Sequence, residues 1–212
     1  MIFNKLRLKL YLLIFLSLVL LYISSYLLNI DSKLRENLLE NLTLVQVEQV
    51  FSFKKKWGII SYVFIILIVL IKIFFTSVTL FIGLFFYEKK QITFKKIWEI
   101  CVNAEFIFLL VPLLKVLWFY FYQVNYKIED IQFFYPFSAL NIVGYKGLDK
   151  WLVYPLQTLN LFEVAYIIYL SYQIGYLTKT NADNGLKIVG YSYLPGLLLW
   201  VTVVMFFTLN YS

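Results

Sequence analysis

The chain has 212 residues, of which 62% are hydrophobic, 21% aromatic and only 15% charged, with a formal net charge of +7. A soluble chain is roughly 45–50% apolar and about 25% charged, so one water-soluble core cannot hide this much apolar surface and lipid is expected to solvate much of the chain. The sequence has no histidine and a single cysteine, Cys101. That excludes His-ligated haem, the usual zinc sites, a Ser-His-Asp triad and an internal disulfide.

The first residues carry Lys5, Arg7 and Lys9 with no acid, and an apolar run follows over about 10–28. It is longer than a signal-peptide core of about 7–15 residues and no small-x-small cleavage site follows, so a retained signal anchor is expected. Residues 29–56 are more polar. Asp31 and Ser32 suit a helix start, and Leu34, Leu38, Leu42 and Val45 recur at helical spacing, which predicts an amphipathic surface helix over about 32–51. It runs into Lys54, Lys55 and Lys56.

The next apolar stretch, about 57–87, is interrupted only by Lys72. The pieces on either side are too short to cross a bilayer alone, so one long span is expected. A basic turn with Lys89, Lys90, Lys95 and Lys96 leads to a third span over about 97–124, where Pro112 predicts a kink. Residues 125–155 leave the apolar region again and carry an aromatic run, Phe133 to Phe137. The fourth span is expected at about 156–177. A polar turn with Asn181, Asp183, Asn184 and Gly185 precedes the fifth, at about 188–209. The expected fold is therefore all-α: a single polytopic membrane domain of five transmembrane helices plus an interfacial amphipathic helix.

Basic residues set the orientation. With the N-terminus in the cytoplasm and the C-terminus outside, the inner segments carry nine Lys or Arg in 28 residues, against eight in 63 for the outer ones. Lys54–Lys56 lean the other way, but density favours this arrangement. The basic residues flanking apolar runs (Lys54, Lys55, Lys56, Lys89, Lys90, Lys95, Lys96) are read as membrane-surface anchors rather than a nucleic-acid footprint.

Ionisable groups within the spans are the informative ones. A charge at the bilayer centre costs roughly 2.5–3.5 kcal/mol on insertion scales, so it is expected to face protein or water and find a partner. Lys72, Asn103, Glu105, Lys115, Asn160 and Glu163 form a candidate intramembrane polar network. With the second hairpin centred near residue 92, Lys72 and Glu105 differ in depth by about seven residues, roughly 10 Å at 1.5 Å per residue. Gln157, Asn160 and Glu163, three apart, suggest a polar stripe on the fourth span.

The stretches "QITFKKIWEI" with "CVNAEFIFLLVPLL", then "LNLFEVAYIIYLSYQIGYLTK" and the polar turn after it resemble the Yip family of five-pass membrane proteins over residues 57–209. Residues 1–56 lie outside that resemblance. It implies a non-enzymatic scaffold or trafficking role and transfers no catalytic residue.

No nucleotide-binding motif, metal-ligand cluster or cofactor signature is present. Neither Cys101 nor Glu163 with Asn160 has an evident second catalytic group, so no enzyme activity is expected. The expected role is a non-catalytic subunit or scaffold associating with the lipid bilayer and with other membrane proteins. The alternative is a transporter or permease component moving a small solute or protons past the buried Lys and Glu groups. A composition rich in Ile, Lys, Asn, Phe and Tyr suggests an AT-rich bacterial genome and hence the cell (inner) membrane.

Overall fold

The computed structural model describes residues 2–87 and 92–211, so Lys89 and Lys90 lie outside the described residues. Among these residues the regular secondary structure is all helical, with one isolated antiparallel bridge between Ser138 and Asn160.

Helix α1 (Ile2–Leu27) is followed by α2 (Ile30–Leu39) and by α3 (Leu44–Tyr87), whose 44 residues make the longest element. The expected amphipathic helix over 32–51 is in fact two helices broken at 40–43. The break has a local cause. Gln46 Oε1 accepts from the Thr43 amide at 3.0 Å and from its hydroxyl at 3.1 Å, while the Gln46 amide donates to Thr43 Oγ1 at 3.4 Å. This Thr-x-x-Gln box restarts the helix at Leu44, 13 residues before the boundary read from hydropathy. At 1.5 Å per residue α3 is ~66 Å long, about twice the ~30 Å hydrocarbon thickness.

Helix α4 (Phe94–Glu105) joins α5 (Leu110–Phe121) through a 3₁₀ turn, Phe106–Leu109. Pro112 stands in the first turn of α5. It lacks the N–H that would bond the Phe108 carbonyl, and its ring presses on that carbonyl, so the chain tightens just before it. Three short helices follow: α6 (Ile128–Phe133), α7 (Ala139–Val143) and α8 (Lys150–Thr158).

Helix α9 (Leu161–Leu177) begins later than the expected 156, because the Asn160 side chain accepts from the Glu163 amide at 2.8 Å and caps it. Gln157 thus belongs to α8, and the anticipated polar stripe is split between two helices. Helix α10 (Ala182–Tyr211) starts six residues before the expected 188, since Asn181 Oδ1 accepts from the Asn184 amide at 3.0 Å. Among the described residues, four helical stretches are long and apolar enough to cross a membrane: Leu6–Leu27, Leu44–Tyr87, Phe94–Phe121 and Ala182–Tyr211. With 17 residues α9 sits at the short limit for a span.

The elements alternate in direction. Lys9 on α1 pairs with Glu99 on α4 at 3.4 Å, which puts both at the lower end of the bundle. At the upper end Leu28, Phe119 and Ile131 pack together, and the Tyr126 hydroxyl donates to the Leu28 carbonyl at 3.3 Å. Helix α6 therefore covers the upper end, while α8 lies along α10, where the Trp200 indole donates to the Tyr154 hydroxyl at 2.9 Å.

The main core joins α3, α4, α9 and α10 through Ile73, Leu80, Cys101, Tyr166, Ile174, Ile188 and other buried side chains. Helices α9 and α10 approach closely because Gly185 carries no side chain: a Cβ there would lie 1.9 Å from the Ser171 carbonyl oxygen. Small residues at such a crossing let backbones touch, the usual device where lipid rather than water surrounds a helix pair.

Candidate functional site

The polar side chains buried in the core gather where α3, the 3₁₀ turn, α9 and α10 meet. Lys72 Nζ lies 3.2 Å from Glu105 Oε2; the lysine side chain is 37% exposed and the glutamate 6%. The gap expected between them is closed by the register of the hairpin. Phe94 packs edge-on against Phe81 at 5.7 Å and meets Phe74 at 6.4 Å, centring the pair near residue 88 rather than 92 and bringing Lys72 level with Glu105. The ammonium also stands 3.2 Å from the centroid of the Phe108 ring and 5.1 Å from that of Tyr166. The tightening before Pro112 sets Phe108 in this place, and the ring face attracts the cation electrostatically.

A second pair lies beside the first. The Tyr193 hydroxyl on α10 donates to Glu163 Oε1 on α9, in a buried contact. Glu163 feels the charges of both Lys72 and Glu105, so the two pairs form one electrostatic unit. Tyr166 lies between them with its ring tilted, 5.6 Å from Tyr193 and 5.2 Å from Phe108. Two atoms in this unit, Glu105 Oε1 and the Tyr166 hydroxyl, are buried without a hydrogen-bond partner. Such orphans are uncommon in folded proteins, because each forfeits its hydration without compensation.

The remaining expected residues separate into different roles. Asn160 is buried and ties the α8–α9 junction together: its oxygen accepts from the Glu163 amide, and its amide donates to the carbonyls of Gln157 at 2.8 Å and Thr158 at 3.0 Å. Asn103 is half-buried on α4 and takes no part in the contacts around Lys72. Lys115 is half-buried on α5 and forms no ion pair among the described residues. Of the basic anchors, Lys54 pairs with Asp31, Lys56 lies 5.9 Å from the Trp57 ring, Lys55 and Lys96 are exposed, and Lys95 is half-buried in the first turn of α4.

Outside the apolar helices, Asp130 orders the upper layer. Its carboxylate accepts from the Lys127 amide and from the Tyr145 hydroxyl, each at 2.8 Å. Burial works against its charge, but these two hydrogen bonds and the nearby Lys146 and Lys127 outweigh it and hold the carboxyl below its usual value. Burial first, then the bond and charge of Asp130, push the Tyr145 phenol up to about 12. Tyr135 is held up as well, by burial and then by the negative charge of Glu163.

The tyrosines and Phe108 were beyond sequence reasoning. The chain has 18 Tyr and 21 Phe, and nothing local distinguishes Tyr166 or Tyr193 from the others.

No family model, curated protein or solved structure matches the chain.

Proposed function

We propose that the chain is a multi-pass protein of a bacterial cytoplasmic membrane, with α1, α3, α4–α5, α9 and α10 crossing the bilayer and the N-terminus in the cytoplasm. In this reading it performs no catalysis and serves as a subunit or scaffold for other membrane proteins, the role implied by the Yip-like stretches. One observation carries it. Helix α3 holds the most hydrophobic stretch of the chain, yet only 6% of that stretch is buried. Between Val47 and Ile73 no α3 side chain is buried at all.

Much of this helix thus presents apolar side chains outward, Ile59, Phe64 and Ile68 among them. An exposed apolar surface of this extent marks an interaction site in water. In a bilayer lipid satisfies its hydrophobicity, so what favours a protein partner is the gain of helix packing that the bundle itself does not supply. Photo-crosslinking side chains at Ile59 and Ile68, with buried Leu80 as control, test this in intact membranes. The expected result is one discrete protein adduct at the first two positions and none at Leu80. Lipid adducts alone at Ile59 and Ile68 would refute the scaffold reading.

A second reading, transport of a small solute or protons, is favoured by the orphaned Glu105 Oε1 and Tyr166 hydroxyl beside Lys72. Reconstituted vesicles would then show a flux lost in Glu105→Leu, and absence of flux from the wild type removes this alternative.

A further inference from the structure

Two acids and one base share the polar cluster. Glu105 and Glu163 are both buried, and Lys72 is the one cation beside them among the described residues. Its ammonium is engaged by Glu105 at 3.2 Å and rests on the Phe108 ring, which favours the charged form. Glu105 in turn depends on that ammonium, because its other oxygen has no partner. Glu163 is met instead by a neutral donor, the Tyr193 hydroxyl. With both carboxyls ionised the cluster would carry one surplus negative charge.

That surplus would fall where charge is least tolerated. Helices α4 and α10 both start at the lower end, and Glu105 and Tyr193 each stand eleven residues beyond the first residue of their helix. At 1.5 Å per residue this is about 16 Å, half of the ~30 Å hydrocarbon thickness. A buried carboxylate without a cation takes up a proton rather than keep its charge.

The surrounding groups offer no other source of balance. Facing Glu163 and its partners are Lys72 on α3, Cys101 and Glu105 on α4, Tyr166 on α9 itself, Tyr193 on α10 and Tyr135 in the loop before α7. A thiol and phenols are neutral at physiological pH, so Lys72 and the two acids set the charge.

Glu163 also lines a cavity of about 1540 Å³, bounded by α5, by the segment 134–142, by the start of α9 and by Leu194 and Leu197 of α10. It is the one carboxyl among the lining residues, and Tyr122, just after α5, is the one other titratable group there. Phe137 in the bounding segment adopts a left-handed backbone with φ of 55° and lays its ring 6.1 Å from that of Phe162, the neighbour of Glu163. The cavity is the opening through which water can reach this carboxyl.

We infer that the cluster binds one exchangeable proton, carried on Glu163 Oε2 and required there because Lys72 is already engaged by Glu105. On loading, an O–H bond forms at Oε2 as one breaks in a hydronium ion within the cavity, which leaves as water; unloading is the reverse. The inference rests on the membrane reading and deepens the second functional reading, naming the proton as ligand and Glu163 as its seat.

Infrared spectroscopy of the full chain in lipid vesicles at neutral pH tests it, through the carbonyl stretch of protonated carboxylic acids. The number of such groups should equal acids minus ammoniums in the cluster: one in the wild type, none in Glu163→Gln, none in Glu105→Gln and two in Lys72→Met. The band should shift in heavy water, since its proton exchanges. Glu105→Gln is the sharpest arm, because Lys72 is then free to neutralise Glu163.

A band that persists in Glu105→Gln would mean that burial alone holds the proton, and would overturn the proposal. So would a wild type without the band, or a band that ignores heavy water. Circular dichroism identifies variants that fail to fold; the wild-type band and the count in any folded variant then decide. Because the readout is equilibrium occupancy, vesicles without flux would remove the transport reading and leave the proton count standing. A missing band would leave both a measured flux and the crosslinking result at Ile59 and Ile68 unaffected.

Discussion

Replacing Lys72 by methionine keeps the length of the side chain and removes its charge. Glu105, whose side chain is only 6% exposed, then loses its cation while its other oxygen already lacks a partner. Removing one member of a buried pair costs about 3–5 kcal/mol. The lysine is 37% exposed, so water supplies part of the lost stabilisation and the lower end, about 3 kcal/mol, applies. Loss of the cation over Phe108 adds about 1 kcal/mol, largely offset by the contact a thioether makes with the same ring.

The double variant Lys72→Met/Glu105→Leu removes both charges and is expected to recover most of the loss, because a buried pair is often no more stabilising than apolar side chains of similar volume. The assay is reversible unfolding by sodium dodecyl sulfate in mixed micelles, followed by circular dichroism. The coupling between the two sites should reach about 2–3 kcal/mol, near the upper range for residues in contact. A double variant as unstable as Lys72→Met, or a single variant within about 0.5 kcal/mol of wild type, would refute the argument that Lys72 neutralises Glu105.

Gly185→Ala should destabilise the α9–α10 hairpin by at least the ~1–3 kcal/mol of an overpacked core, since its Cβ meets the Ser171 backbone, while Gly190→Ala meets nothing within 4 Å and should be neutral or mildly stabilising. Thermal unfolding in detergent distinguishes them. Asn160→Ala should cost about 0.5–2 kcal/mol as a lost helix cap, measured in the same way. Asp130 has a lower pKa folded than unfolded, so its contribution is complete above the unfolded value of about 3.9 and disappears as pH falls through the folded one. Near-ultraviolet circular dichroism from Tyr145 should therefore hold from neutrality to about pH 4 and change below it, and Asp130→Asn should abolish that acid transition.

The long apolar runs announced themselves in the sequence, and so did the effect of Pro112, because both follow from local composition. Lys72 and Glu105 stood out as charges that a bilayer does not tolerate alone. Their relative depth was misplaced because the hairpin register depends on rings of two different helices, Phe94 on Phe81. The restart of α3 was readable but overlooked: Thr43 and Gln46 have the spacing of a capping box, and the continuing leucine periodicity masked it. Asn160 stood out by its polarity, but its place as the cap of α9 depends on where that helix begins, which hydropathy set at 156 rather than at Leu161. The cavity could not be read, since its walls come from α5, α9, α10 and a loop whose shape depends on a left-handed Phe137.

The medium around α3 is the central issue, and two of its residues isolate it. Leu44 and Ile68 are nearly equally exposed, at 68% and 62%, so they differ only in what surrounds them. Spin labels at each position in reconstituted vesicles, read by power saturation with oxygen and with a water-soluble nickel chelate, report that medium directly. Ile68 should relax with oxygen and ignore nickel, and Leu44 should do the reverse. Equal access of nickel to both would contradict a bilayer-crossing α3.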